Sequence, residues 1–318
     1  MTPSASPFPP PPFSDPRLTE QRNPRTERID VASSLDIVDL LNAEDRTVPA
    51  AVHGERERIA RAIDEVVAAF GRGGRLVYVG AGTSGRLGVL DAAECPPTFG
   101  TPPELVVGLI AGGYPALIKS AEGAEDDVNA GMAAIDDAQV TPRDVVVGIA
   151  ASGTTPFVRA ALSRAQTIGA KTVLVSCSDP PKQLADTCDV VILPKVGPEA
   201  LTGSTRMKAG TATKLVLNTI STGAMIRMGR AYGNLMVDLM ALSDKLRDRG
   251  QRIVMEVCGV DRDAARRAIE DAGGSVKLAI VMAKTGRSRD AARRALEAAG
   301  GFIRKAIGDP PPVMGTGV

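Results

Sequence analysis

At 318 residues and 44% hydrophobic content, the chain can fold as one sizeable α/β domain with appendages or as two modest domains, and it is too apolar to be a disordered protein. Its 38 Lys+Arg balance 37 Asp+Glu, so there is no charge excess of the kind that draws a protein onto nucleic acid or an anionic membrane. A small-molecule ligand is expected instead. The apolar runs are short and broken by Gly or charge, and the N-terminus is Pro-rich where a signal peptide needs an apolar core. A cytoplasmic protein without a membrane span is therefore expected.

In chain order, residues 1–25 carry Pro9 to Pro12 among Ser and charge, a composition that buries too little surface to offset its ordering entropy and reads as a disordered tail. From Ile29 to Ala69 the apolar residues recur at helical spacing: first Leu35, Ile37, Val38, Leu40 and Leu41, then Ile59, Ala62, Ile63, Val66 and Val67. The only histidine, His53, sits among charged residues on this stretch and reads as part of a solvated helix face. With one histidine and four cysteines lacking CxxC spacing, a metal site or a serine-type triad has almost no material, and the cysteines read as reduced, packed thiols.

Between Arg75 and Leu193, five β-branched runs are each followed by a Gly/Ser/Thr turn and usually by a helical stretch: Leu76–Val79, Leu105–Val107, Val145–Ile149, Thr172–Val175 and Val190–Leu193. Runs without polar alternation suit strands buried on both faces, so the fold class is α/β with a doubly wound, parallel five-stranded sheet flanked by helices. Ligands of such sheets bind beyond the carboxyl ends of the strands. From Met207 the chain reads as helical to about Arg249, and then Asp263–Gly274 returns as Asp290–Gly301. Each copy reads as a helix with an Asp cap and a closing Gly pair, followed by a second helix start, and together they form a small helical module. The resulting division is a tail over 1–25, a ligand-binding domain over 26–250, a helical module over 251–308 and a tail over 309–318.

Two loops could cradle a phosphate. The first strand ends in Gly80-Ala-Gly-Thr-Ser-Gly-Arg86 and opens a helix, which aims backbone N–H groups and the positive end of the helix dipole at an anion. Gly80 to Gly85 formally supplies a dinucleotide-type G-x-G-x-x-G, but the second strand ends at Gly108–Gly112 without the acidic residue a ribose would need. The third strand leads into Ala151-Ser-Gly-Thr-Thr-Pro156, where hydroxyls and a helix start combine. Each loop alone could equally be ordinary N-capping. Two such loops at one sheet edge, without a Walker lysine, point to a monophosphorylated ligand.

Among the carboxylates, Glu94 precedes Cys95, Pro96 and Pro97, so the helix is expected to end there. A helix C-terminus and a substrate cleft would both favour the protonated carboxyl, as a general acid requires. The cluster Glu122, Glu125, Asp126 and Asp127 reads first as a charged face, with Glu122 and Glu125 sharing one side of a helix. The sharper reading makes one of these glutamates a base opposite Glu94.

The stretch Gly197-Pro-Glu-Ala-Leu-Thr-Gly-Ser-Thr-Arg-Met-Lys-Ala-Gly-Thr211 resembles the signature shared by N-acetylmuramic acid 6-phosphate etherases and glucokinase regulatory proteins of the SIS (sugar isomerase) superfamily. Taken with Gly80–Thr98, Glu122–Asp126 and Gly233–Asp238, it resembles the etherases more than the regulators. The resemblance implies cleavage of a D-lactyl ether of a phosphorylated amino sugar, with Glu94 as proton donor and Glu125 as the second active glutamate. Thr83, Ser84, Glu122, Ser152, Thr154, Thr155, Ser204, Thr205 and Lys208 are the implied substrate contacts, with Arg206 as a neighbour. Many relatives carry Arg where this chain has Thr154. The resemblance further implies a homodimer and no metal or other cofactor. Two alternatives remain at this level: a sugar-phosphate-sensing regulator, although such regulators carry two SIS domains, and a sugar-phosphate isomerase, although those enzymes generally use a histidine.

Overall fold

The computed structural model describes residues 15–239 and 243–309. After a 3₁₀ turn at Leu18–Glu20 come three helices, α1 (Ser34–Asp45), α2 (Val48–Gly54) and α3 (Arg56–Gly71). Strands and helices then alternate: β1 (Leu76–Gly80), α4 (Gly82–Phe99), β2 (Val106–Ile110), α5 (Val128–Asp137), β3 (Val145–Ile149), α6 (Pro156–Ile168), β4 (Lys171–Val175), α7 (Lys182–Thr187) and β5 (Val190–Ile192). The five strands form one parallel sheet in the order β2-β1-β3-β4-β5. This is the doubly wound sheet expected from the five apolar runs.

The β1 and β3 strands are buried over their whole length, which is why they lack polar alternation. Their side chains divide between two faces with the period of the pleat. Val77, Val79, Val146 and Leu174 pack with Ile135 of α5 and with Phe157, Val158, Ala161 and Leu162 of α6. On β1, Leu76 and Tyr78 alternate with those residues, and the Tyr78 hydroxyl donates to Asp91 of α4 at 2.8 Å. Asp91 also accepts from Asn218 (2.6 Å) and Ser221 (3.1 Å) of α8 (Lys208–Arg227).

Three local expectations change. Residues 15–25 are not a structureless tail: Thr19, Asn23 and Thr26 are buried, and the Thr19 amide donates to Ser178 Oγ at 3.2 Å. Asn23 Nδ2 donates to Glu44 (2.8 Å) and to the Pro198 carbonyl (3.2 Å), and Thr26 Oγ1 to the Ala200 carbonyl (2.8 Å). The first fourteen residues, with their proline run, lie outside the described residues. Second, α4 does not stop before Pro96. It continues through Pro96 and Pro97 to Phe99, forgoing two backbone hydrogen bonds while burying Cys95 and Phe99. Third, the helix from Met207 is interrupted after Arg227 by a hairpin, β6 (Ala231–Tyr232) and β7 (Leu235–Met236), before α9 (Asp244–Cys258) begins.

The described chain divides into two compact units, one running to Ala93 and resuming at Glu104–Ser221, the other comprising Glu94–Pro103 and the residues from Thr222 onward. The second holds α9, α10 (Arg262–Asp271), α11 (Val276–Thr285), α12 (Arg289–Ala298) and α13 (Ile303–Ile307), so the repeat is two helix pairs. Asp263 does not cap α10. Asp261 does, accepting from the Ala264 amide at 2.7 Å, and α12 starts after Ser288 rather than at Asp290. Gly274 and Gly301 close their helices as expected, each donating its N–H to a carbonyl five residues back at 2.8 Å. Asp238, from the Gly233–Asp238 stretch, accepts from Lys277 Nζ at 2.7 Å in this unit's core. No helix among the described residues is long and apolar enough to cross a membrane.

Candidate functional site

In this strand order the chain leaves β1 and β3 toward opposite edges of the sheet, and the crevice between their carboxyl ends is where doubly wound folds place ligands. A cavity of about 420 Å³ lies there. The loop after β1 contributes Ala81, Gly82, Thr83 and Ser84, and the loop after β3 contributes Ala151, Ser152, Thr154, Thr155 and Pro156. Glu125, Asp126, Gly203 and Thr205 complete most of the wall, together with Arg17 and Glu20. The two loops singled out in the sequence thus open into one space.

Their backbones fit anion binding. A Cβ on Gly85 would come within 2.6 Å of Ile110 Cγ1 and 2.7 Å of the Gly80 carbonyl oxygen, so only glycine lets α4 start this close to the strand ends. Gly85 N–H bonds back to Ala81 (3.2 Å), while the preceding amides of the first turn lack partners four residues back in the helix ladder and lie beside the cavity. In the second loop Gly153 has φ +73° and donates to the Ala150 carbonyl (2.8 Å), which folds Ser152 and Thr154 together: their hydroxyls are 3.0 Å apart. Thr155 occupies the N-cap of α6, yet its side chain makes no capping bond. Ordinary capping therefore does not account for that hydroxyl.

The acidic residues separate. Glu125 lies on a 3₁₀ turn, Ala124–Asp126, preceded by Gly123 at φ +76°, so Glu122 and Glu125 do not share a helical face. Left-handed Gly123 breaks the helix that their spacing suggested. Glu125 lines the main cavity, and it also lines an adjoining one of about 280 Å³ that contains Glu122 and Arg86. Glu94 falls in the other compact unit. It is exposed, and five helical residues follow it. The helix end and the burial expected for Glu94 are both absent, because α4 runs through the two prolines, and Glu94 does not line the cavity.

The signature stretch divides as well. Thr205 reaches the cavity wall, and half-buried Ser204 stands next to it without lining it. Arg206 is exposed and also outside the lining. Lys208, an implied substrate contact, turns inward instead: its side chain is 1% exposed and donates to Glu44 Oε2 at 2.6 Å. Arg25 also pairs with Glu44. Hydrogen bonds from Arg25 in the first place, then from Lys208 and Asn23, hold the Glu44 carboxyl down to about 2. An ammonium this deep needs a full-time carboxylate, which Glu44 provides, and the buried Lys208 side chain does not line the cavity. Glu199, fully buried, accepts the amides of Lys208 (3.0 Å) and Ala209 (2.8 Å) and so caps α8, while burial pushes its carboxyl up. None of the four cysteines is in a disulfide, and burial pushes the Cys177 thiol up to about 12 and Cys188 to about 11.

Arg17 and Glu20 are the lining residues that composition concealed, since they lie in the stretch read as a tail. A larger groove, about 720 Å³ and mostly apolar, runs beside the edge strand β2, with Arg75 and Asp137 as its charged residues. It contains none of the expected site residues.

Sheet order, switch-point cavity and paired hydroxyl loops define a SIS-type α/β protein, and the family model of the glucokinase regulatory protein N-terminal SIS domain matches residues 58–166. Much longer matches come from curated relatives named N-acetylmuramic acid 6-phosphate etherase. The one from Symbiobacterium thermophilum is 55% identical over 263 residues, 83% of this chain and 87% of its own. Those from Mesorhizobium japonicum and Pasteurella multocida are 53% and 52% identical over the same length, covering 85% and 87% of their own chains. The chain belongs to the N-acetylmuramic acid 6-phosphate etherase family. Among solved structures, an E. coli CFT073 protein in complex with A5P aligns at a TM-score of 0.46 and 20% identity, over 64% of this chain and 97% of that one.

Proposed function

We propose that this chain cleaves the D-lactyl ether at C3 of N-acetylmuramic acid 6-phosphate, giving N-acetylglucosamine 6-phosphate and D-lactate. It does so in the cytoplasm as a homodimer, within amino-sugar catabolism and peptidoglycan recycling and without a metal or other cofactor. Residues 26–250 act as the SIS domain and 251–308 as an appended helical module. The observation that carries this reading is that Glu125 shares one cavity with the hydroxyl loops of Thr83–Ser84 and Ser152–Thr155. The amides and hydroxyls of the two loops take the phosphate, and the sugar extends toward Glu125.

In the ring-opened sugar the C2 proton is α to an aldehyde and therefore acidic enough for a carboxylate to remove. The electron pair left at C2 forms the C2–C3 double bond as the C3–O bond breaks, and a protonated carboxyl gives its proton to the departing lactate. Water then adds at C3 and a proton returns to C2. Glu125 and Glu94 are the two carboxyls, with Glu94 as donor. Glu94 is exposed and does not line the cavity that holds Glu125; in the homodimer a second copy of the chain contributes it.

Lactate release from N-acetylmuramic acid 6-phosphate tests the activity, with the unphosphorylated sugar as control, and absence of release from the folded protein would refute it. Mixing Glu94→Gln with Glu125→Gln tests the shared site. Two inactive variants that regain lactate release on subunit exchange support it, and mixtures that stay inactive after proven exchange oppose it.

A further inference from the structure

We propose that Arg17, from the segment preceding the first helix, supplies the positive charge that holds the substrate's phosphate in the switch-point cavity. The inference rests on the sugar-phosphate reading of that cavity and adds to it a residue outside the SIS loops.

The charges around the cavity demand such a group. Three carboxylates line it, Glu20, Glu125 and Asp126, and Arg17 is the one cationic side chain among the described residues that do so. A phosphomonoester brings a further charge of about −1.5 to −2 at neutral pH. Hydroxyls and helix-terminal amides orient it, but they offset only part of the repulsion from three carboxylates. The other basic residues near the two loops are committed or outside the lining. Lys208 is buried against Glu44, Arg206 is exposed beyond the wall, and Arg86 lines the adjoining cavity rather than this one, with its Nε donating to the Ala116 and Leu117 carbonyls at 3.1 and 3.2 Å.

Arg17 is also held in place. Its Nε and Nη2 reach the two Asp15 oxygens at 3.0 and 2.6 Å, and its amide donates to the same carboxylate at 2.8 Å. A guanidinium has five N–H donors in a fixed fork, so this clamp fixes one edge and leaves the other directions for a ligand. Two residues on, Thr19 is fully buried and bonded to Ser178 in the loop after β4, at the same carboxyl edge of the sheet as the cavity. The anchor Thr19 is buried while the Arg17 side chain is 42% exposed, so the segment is fixed and the side chain stays accessible.

The test compares binding of N-acetylglucosamine 6-phosphate and of unphosphorylated N-acetylglucosamine by calorimetry, with the folded state of each variant checked by thermal melting. Arg17→Ala should weaken the phosphorylated ligand about 10- to 100-fold, the scale of a charge-assisted hydrogen bond, and leave the unphosphorylated sugar within about twofold. Arg17→Lys, which keeps the charge, should recover part of the loss. The proposal is overturned by an Arg17→Ala affinity within twofold of wild type, by equal losses for both ligands, or by a lysine variant no better than alanine. A wild-type protein that binds the sugar phosphate through Arg17 yet releases no lactate would overturn the etherase reading alone.

Discussion

The two strand-to-helix loops and the stretch from Gly197 to Thr211 stand at the same sheet edge, yet their polar groups serve opposite ends. In the loops, short hydroxyl side chains on glycine-shaped backbone open into a cavity, and at Thr155 the side chain forgoes even the capping bond available to it. In the later stretch, Glu199 and Lys208 turn inward, one capping α8 and the other closing a buried network with Glu44, Arg25 and Asn23. A run of residues that identifies a family is therefore part site and part scaffold. Size and reach decide which: a serine hydroxyl beside solvent can wait for a ligand, whereas a buried ammonium cannot remain unpaired.

Breaking the pocket side should remove activity and spare the fold. Glu125→Gln is expected to lower lactate release by about 10²- to 10⁴-fold, with an unchanged melting curve because the side chain is exposed. Breaking the scaffold side should do the reverse. Lys208→Met removes one of three side-chain partners from the buried Glu44 carboxylate, leaving Arg25 and Asn23, and should cost about 1–3 kcal/mol in denaturant unfolding, while sugar-phosphate affinity per folded molecule stays within a few-fold of wild type. If Lys208→Met instead abolishes binding at full stability, the division between site and scaffold is wrong.

Gly153→Ala lies between the two classes. With φ at +73° and a new Cβ 2.9 Å from Pro180 Cα, it should lose about 1–3 kcal/mol of stability and displace Ser152 and Thr154 as well. Stability and KM should therefore both worsen. The scaffold also has a pH signature. Glu44 is held at about 2 against an ordinary 4.5, so its contribution is complete above pH 4.5 and is lost as pH falls toward 2. Glu44→Gln should flatten that part of the acid-unfolding curve, and an unchanged curve would remove Glu44 from the account. The smallest effect belongs to Thr154→Val, which deletes one of the paired hydroxyls and should raise KM about two- to tenfold without changing stability.

The sheet was legible because its signal is local: each apolar run and the Gly/Ser/Thr turn after it lie within a dozen residues, and all five runs became strands. The loops were legible for the same reason. What the sequence hid depends on partners far along the chain. Thr19 finds Ser178 at a separation of 159 residues, and that contact turns the segment carrying Arg17 from apparent tail into cavity wall. Lys208 finds Glu44 at a separation of 164 residues, which no spacing rule announces. At Pro96 and Pro97 a sound local rule lost to packing, since burial of Cys95 and Phe99 outweighs the missing backbone bonds, and Glu94 is left in mid-helix.

The most direct test of the central claim is turnover of N-acetylmuramic acid 6-phosphate in ¹⁸O-labelled water. Elimination followed by hydration places the label on the C3 hydroxyl of N-acetylglucosamine 6-phosphate and leaves the lactate hydroxyl unlabelled. Label in the lactate, or no lactate at all from the folded enzyme, would contradict it.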